Sequence, residues 1–393
     1  SYFEQGSYDK AFVDIKKCLD INSNSAECYF KLGNIFQETK KFDEAELNYN
    51  IAISKKENYA DAFANLGKLY KDIGDFKRSK INLDKALEIN PKFPRVYNFM
   101  GSLAEEQNDI KNAKKYYKKA SLLNNSYHTP IYNLALVQLY DCQFKEGFIN
   151  HDYRWSISSF AKKKLHTNQP LWSPSLTTDN HVTIWPEQGI GDFILYSRFF
   201  NELAFLKIDV NVLISNKLKP IYDRTFPHIN FVTKLNRTAI DYHAPIGDLA
   251  KFYVNSFKDV KDRSDNYLVV DKSRTQEIKE LLPKGKKICG ISWISKNESI
   301  GKHKSMTLED MKDLLLLPDI TFVDLQYTDT TDERAEFKKK YGVEILKLEE
   351  IDNFDDIDGL ASLIDACDFV VSVSNTTVHI AGAIGKETYL MLP

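Results

Sequence analysis

The chain has 393 residues, with 43% hydrophobic and 27% charged side chains, which suits a soluble globular protein and is too long for one ordinary core. Lys+Arg 53 against Asp+Glu 55 leaves a net charge of -2, so nothing global points to nucleic acid or an anionic membrane as partner. No apolar run approaches the roughly 20 residues of a membrane-spanning helix, and no signal peptide opens the chain. The five cysteines, Cys18, Cys28, Cys142, Cys289 and Cys367, are scattered, odd in number and without a Cys-x-x-Cys pair. That pattern argues for reduced thiols in a cytoplasmic setting, not for a disulfide or zinc framework.

From the N-terminus the dominant signal is self-similarity. Glycines at Gly33, Gly67 and Gly101 recur every 34 residues, and Ala135 continues the series. A second phase of small residues runs through Ala11, Ala45, Ser79, Ala113 and Gly147, and a third through Cys18, Ala52, Ala86 and Ala120. Several phases sharing that period are the signature of tetratricopeptide repeats, each a pair of antiparallel helices packed where a small side chain lets backbones approach. Three full repeats are expected from about Ala26 to Asn125, with a partial one before and a modified one after. Ser1 is not an initiation residue and the first residues look like the tail of a repeat in progress, so the chain reads as a fragment. Phe36, Tyr49, Tyr70 and Tyr117 have helical spacing and are assigned to the core. Asn65 and Asn133 stand where some repeat proteins grip a peptide backbone, although Lys31 and Phe99 interrupt that series and favour a plainer role.

Residues 1–155 are therefore expected to form the helical array, and 156–180 a docking linker rich in aromatic and turn residues. From His181 the period changes. Val182–Trp185, Val210–Leu213 and Asn230–Val232 read as strands alternating with helices, and a second such run starts at Lys287. It continues near Thr321–Leu325, Val343–Leu346, Phe369–Val373 and Thr388–Leu392. This alternation predicts two Rossmann-like lobes, 181–275 and 276–393, each a parallel sheet covered by helices.

Two loops carry chemistry. Glu187-Gln188-Gly189-Ile190-Gly191-Asp192 follows the first strand and opens a helix. The dinucleotide fingerprint would need glycine where Ile194 stands, and Asp192 at a helix start would repel a pyrophosphate, so a nicotinamide or flavin site is excluded. Asp192 is either a helix cap or a base presented to a cleft. The second loop is Ser374-Asn375-Thr376-Thr377-Val378-His379. Hydroxyls and free N–H groups at a helix start suit a diphosphate, whereas an ordinary cap is the plainer reading. His379 is a core histidine or a ligand. Asp355-Asp356-Ile357-Asp358 is read as helix capping, not as a metal site.

With Gln169-Pro170-Leu171-Trp172 and Gly290-Ile291-Ser292-Trp293, these loops resemble those of bacterial tetratricopeptide proteins carrying a heptosyltransferase-like domain. The domain order is also similar to that of O-linked N-acetylglucosamine transferase. The resemblance implies a GT-B pair of lobes after the repeat superhelix, with the acceptor on the first lobe (loop Gln188, Gly189, Gly191) and a nucleotide-sugar on the second. It implies Asp192 as the base of an inverting, metal-free glycosyltransferase. Lys304, with Lys302 in reserve, would contact donor phosphate, joined by Gln326, Ser374, Asn375, Thr376, Thr377 and His379. No cofactor is implied, and a protein or peptide held by the repeats is the implied acceptor. Relatives commonly carry Asp where this chain has Ser374, and GT-B enzymes commonly continue past the strand that ends at Pro393, so the second lobe reads as truncated. The alternative function is a non-catalytic scaffold that binds protein partners through its repeats.

Overall fold

The computed structural model describes residues 8–176, 181–206, 208–236, 240–261, 266–296 and 301–392, with the side chains of Tyr8, Asp9, Lys302 and His303 outside that set. The chain divides into two compact units, Ser1–Lys162 and Lys163–Pro393. No helix among the described residues is long and apolar enough to cross a membrane.

The first unit is all helical: α1 (Tyr8–Ile21), α2 (Ala26–Glu38), α3 (Phe42–Lys55), α4 (Ala60–Asp72), α5 (Phe76–Ile89), α6 (Pro94–Glu106), α7 (Ile110–Leu123), α8 (Thr129–Tyr140), α9 (Phe144–His151) and, after a 3-10 turn over Asp152–Ser156, α10 (Ser158–Ala161). The 34-residue glycines mark the closest approach within each helix pair. A Cβ on Gly33 would lie 2.5 Å from the Tyr49 ring, one on Gly67 2.8 Å from the Leu83 side chain, and one on Gly101 2.5 Å from the Tyr117 ring. The facing residue sits sixteen positions on in every case. Tyr49, Tyr70 and Tyr117 are buried, as their spacing predicted. Asn65 donates to Asn34 Oδ1 at 2.6 Å and Asn133 to Asn98 Oδ1 at 3.1 Å, so both asparagines are engaged with the preceding repeat.

One expectation fails here. Cys18 and Cys28 are disulfide-bonded, with Cα atoms 6.8 Å apart. The turn between α1 and α2 folds the intervening residues back on themselves, which linear spacing does not reveal. The cysteine pattern therefore no longer argues for a reducing compartment. Of the free cysteines, Cys289 and Cys367 are buried, and burial pushes each thiol up to about 12.

The second unit holds two parallel sheets. The first is built from β1 (His181–Trp185), β2 (Asp209–Leu213), β3 (Asn230–Val232) and β4 (Tyr242–Pro245) in the order β3-β2-β1-β4. Its helices are α11 (Ile190–Ser197), α12 (Phe200–Ala204), α13 (Lys219–Thr225), α14 (Asp248–Tyr253) and α15 (Phe257–Lys261). In the second lobe come α16 (Lys272–Leu281), β5 (Lys287–Ser292), α17 (Gly301–Lys304), α18 (Lys312–Leu315), β6 (Ile320–Asp324), α19 (Thr331–Tyr341), β7 (Ile345–Leu346), α20 (Ile357–Ala366), β8 (Phe369–Val373), α21 (Thr376–Ala383) and β9 (Thr388–Met391). Its sheet order is β7-β6-β5-β8-β9. In both sheets the order reverses beside the first strand, between β1 and β4 and between β5 and β8. Open α/β sheets bind ligands at the carboxyl ends of strands flanking such a reversal.

Within this unit the lobes are tied together by charge. Arg224 on α13 pairs with Asp358 on α20, and Lys217 with Asp355 at 2.6 Å. Asp356 caps α20 by accepting from Gly359 N at 2.9 Å and pairs with Arg274, in line with the capping assigned to this acidic run. Residues Pro170 to Trp172 belong to this second unit, adding two backbone bonds to the free edge of β4 through His243.

Candidate functional site

Asp192 lies in the first turn of α11, but it is not the cap: Gly189 holds that position and no side chain bonds there. The cap assignment fails because the tight turn through Gly189 and Ile190 puts the carboxylate too deep into the helix. Asp192 is half-buried beside α21, which packs on α11. Gly191 is the contact point: a Cβ there would sit 2.8 Å from His379 Cδ2. This backbone-to-ring approach is why glycine occupies the position.

His379 is one turn into α21. Burial keeps its imidazole neutral, below the ordinary histidine range. Against that, the Asp192 carboxylate favours the charged form, while the Lys304 ammonium opposes it. The three side chains therefore share one electrostatic neighbourhood, although they come from α11, α17 and α21. Both lobes supply it, and both do so from loops at strand-order reversals.

Beneath this trio lies a polar network that fixes the loop after β5. Gln326 Oε1 accepts from Ser292 Oγ at 2.9 Å and from the N–H groups of Trp293 and Ile294 at 3.1 Å each. Its Nε2 donates to Ile294 O at 3.0 Å. Asn375 Nδ2 holds the same loop from the other side, donating to Ser292 Oγ at 2.7 Å and Ile294 O at 3.1 Å. Asn375 also caps α21 through its Oδ1, which accepts from Thr377 N at 3.0 Å. Ser305 carries the connection on to Lys304: its hydroxyl accepts from Ser295 N at 2.9 Å and donates to Gly301 O at 2.7 Å.

Gln326 and Thr377 are fully buried and Asn375 nearly so, and their side chains hold the loop and the helix start. Ser374 and Thr376 remain partly exposed at the start of α21, where first-turn N–H groups lack intrahelical partners. The side chain of Lys302 lies outside the described residues. On the first lobe, Gln188 and Gly189 border the turn before α11, with only the Asp192 carboxylate within 4 Å of the Gly189 Cβ position.

Sequence reasoning missed three supports. Glu187 is buried and accepts from Gly247 N at 3.2 Å, joining the loops after β1 and β4 across the reversal in that sheet. Ser292 sits at the centre of the network above, at the end of β5, within the Gly290–Trp293 stretch that entered the resemblance without a role for this hydroxyl. Asp324 is fully buried at the end of β6, where it accepts from Gln326 N at 2.6 Å and Thr330 Oγ1 at 2.5 Å, with Arg334 at 3.3 Å and Lys347 at 3.7 Å. Burial pushes its carboxyl above the usual range, with Lys347 the largest opposing influence. A recess of about 690 Å³ lined by Thr307, Leu308, Glu309, Glu333, Phe337 and Lys340 includes none of these groups. Two of its acids are engaged: Glu333 accepts from Trp293 Nε1 and Leu308 N, and Glu309 pairs with Lys340. The convergent chemistry, not this recess, locates the candidate site.

Protein FlbA of Caulobacter vibrioides is 26% identical over 272 residues, which is 63% of this chain and 45% of FlbA. The chain thus spans just under half the length of that curated relative. Among solved structures, TTC0263, a thermophilic TPR protein of Thermus thermophilus, is 16% identical with a TM-score of 0.37, covering 40% of this chain and 86% of that one. PilF of Pseudomonas aeruginosa is 18% identical with a TM-score of 0.38, covering 52% of this chain and 81% of that one. The tetratricopeptide-repeat family model matches residues 26–58, 60–93 and 94–127. The helical unit therefore contains three consecutive tetratricopeptide repeats, in the positions the 34-residue glycine series marks, and a unit of parallel sheets follows them.

Proposed function

We propose that the second unit is a GT-B glycosyltransferase that moves a sugar from a nucleotide-sugar to an acceptor hydroxyl, and that the repeats hold the protein or peptide bearing it. The observation that carries this reading is the packing of α11 on α21, which brings Gly191 and its neighbour Asp192 against His379, with Lys304 in the same electrostatic neighbourhood. A carboxylate on one lobe and a cation with a helix start on the other are what displacement at an anomeric carbon needs.

In this reading the Asp192 carboxylate takes the proton of the acceptor hydroxyl as its oxygen bonds to the anomeric carbon. The bond from that carbon to the diphosphate breaks on the opposite face, so the configuration inverts. Lys304 and the first-turn N–H groups of α21 stabilise the charge on the departing nucleoside diphosphate. His379, kept neutral by burial, adds no competing positive charge and fixes the spacing between the two helices. Ser292, Asn375 and Gln326 hold the loop after β5 in place before substrate arrives, which reduces reorganisation in the reaction.

A second reading, a scaffold without catalysis, is favoured by one observation: the side chains of Gln326, Asn375 and Thr377 turn inward. Thermal scans with UDP, GDP and ADP separate the two. A nucleotide at about one hundred times its Kd stabilises by about 2.7 kcal/mol, a shift of roughly 5–11 °C for a unit of this size. Loss of turnover by about 10²–10⁴ in Asp192→Asn, with nucleotide affinity retained, is the expected result. Absence of any nucleotide shift, or undiminished turnover in that variant, refutes the transferase.

A further inference from the structure

The repeat unit carries an apolar line that its own fold leaves uncovered. On the second helix of successive repeats, Val13, Leu47, Ile81 and Ile149 occupy one register position and are 50%, 59%, 53% and 54% exposed. The series is interrupted once, by Lys115 on α7. Isolated exposed aliphatics are ordinary. Recurrence at one position of α1, α3, α5 and α9 instead lines them up along one face of the array, because each repeat stacks on the last with the same geometry.

Two of these helices, α3 and α7, carry opposite charges beside the line. Asp43 and Glu44 are exposed on α3; Lys111, Lys115, Lys118 and Lys119 are exposed on α7. None of the six is in an ion pair among the described residues. Helix α5 lies between these two and carries Ile81, while Lys80 and Lys85 on it are already paired with Asp84 and Glu88.

We infer that this face is a self-association surface and that its occupant is the same face of a second copy of this chain, related by a two-fold axis through α5. Such an axis brings Ile81 against Ile81 and places α3 of each copy over α7 of the other. The acidic pair then meets the lysine cluster twice, once on each side of the axis. Lys115, which breaks the apolar series, becomes part of the fit: its aliphatic stem lies on Leu47 and its ammonium reaches Asp43 or Glu44. Val13 and Ile149 close the two ends. A different partner would have to supply an apolar line with acids at one end and bases at the other, and this chain already presents that pattern in reversed order.

Sedimentation velocity of the full chain across a concentration series, at low salt and at about 0.5 M salt, tests the assignment. A reversible dimer that weakens with salt is expected. Ile81→Glu weakens it at least about tenfold by placing like charges at the axis. Reversing Lys111, Lys115 and Lys118 to Glu does the same, and adding Asp43→Lys with Glu44→Lys restores association. The reversal set leaves every apolar residue in place, so it remains informative if Ile81→Glu disturbs the helices, which circular dichroism reports. A monomer at every concentration overturns the inference and leaves the line to a different partner. A dimer that withstands both Ile81→Glu and the lysine reversal overturns it equally, by locating the contact elsewhere.

Discussion

Replacing Gly191 with alanine tests the contact on which the candidate site depends. The new methyl carbon would lie 2.8 Å from His379 Cδ2 and 3.3 Å from Nε2. Carbon atoms in good contact stand about 3.5–4.0 Å apart, so the ring or α11 must give way by about 0.7 Å. Overpacking of this kind costs about 1–3 kcal/mol, and for a unit of this size the melting temperature falls by about 2–4 °C per kcal/mol. The assay is thermal unfolding followed by tryptophan fluorescence, since Trp172, Trp185 and Trp293 all lie in the second unit and only Trp155 in the first. Gly382→Ala is the control: it sits on the same α21, and beyond its own turn of helix no atom of the described residues lies within 4 Å of its Cβ position. Alanine there is expected to leave stability unchanged or raise it by about 0.5–1 kcal/mol. Repeating Gly191→Ala in a His379→Ala background removes the clash, so most of the loss should vanish. An equal loss in both backgrounds refutes the helix-to-helix contact as the reason for the glycine.

Two further outcomes are expected. In the repeats, Gly101→Ala drives a methyl into the buried Tyr117 ring and should destabilise by about 1–3 kcal/mol; chemical denaturation followed by far-ultraviolet circular dichroism measures it, and a neutral result contradicts the packing. The second outcome concerns pH. Burial holds His243 and His379 below the ordinary 6.5, and His243 Nδ1 accepts from Trp185 Nε1 at 3.0 Å, which requires that nitrogen unprotonated. Below 6.5 the unfolded chain binds more protons than the folded one, so stability is complete above that pH and declines as pH falls toward the lowered folded values. Urea midpoints at several pH values check this, and His243→Phe should flatten the decline.

The repeats were legible because their packing writes itself into a fixed spacing: each glycine faces a bulky residue sixteen positions on, and both recur. Strands with mostly apolar runs, such as Val182–Trp185 and Phe369–Val373, were equally plain. Tyr242–Pro245 was not, because its four residues include a histidine and end in proline, a composition that an edge strand tolerates and a pattern search discards. At the site, residue types were readable but orientations were not. Asn375 announced a helix cap, yet its second bond, to Ser292, joins positions 83 apart in sequence. The inward turn of Gln326 depends on the end of β5, and the glycine at Gly191 on a ring that arrives nearly 190 residues later. The Cys18–Cys28 bridge was hidden for a related reason, since the helical turn sets that proximity and the spacing does not.

The sheet order has a consequence for how the chain acquires its structure. In the repeats each helix finds its neighbours within one or two periods, so ordering can spread from any point along the array. In the second lobe β5 is flanked by β6 and β8, and the Ile288 N–H bonds to the Asp368 carboxylate, 80 residues away. Closing such long loops before any sheet forms is slow. A refolding experiment should therefore resolve two phases, a fast one in helical signal and a slow one in tryptophan burial, with exposed apolar strands persisting between them. That interval is when this protein is most open to aggregation.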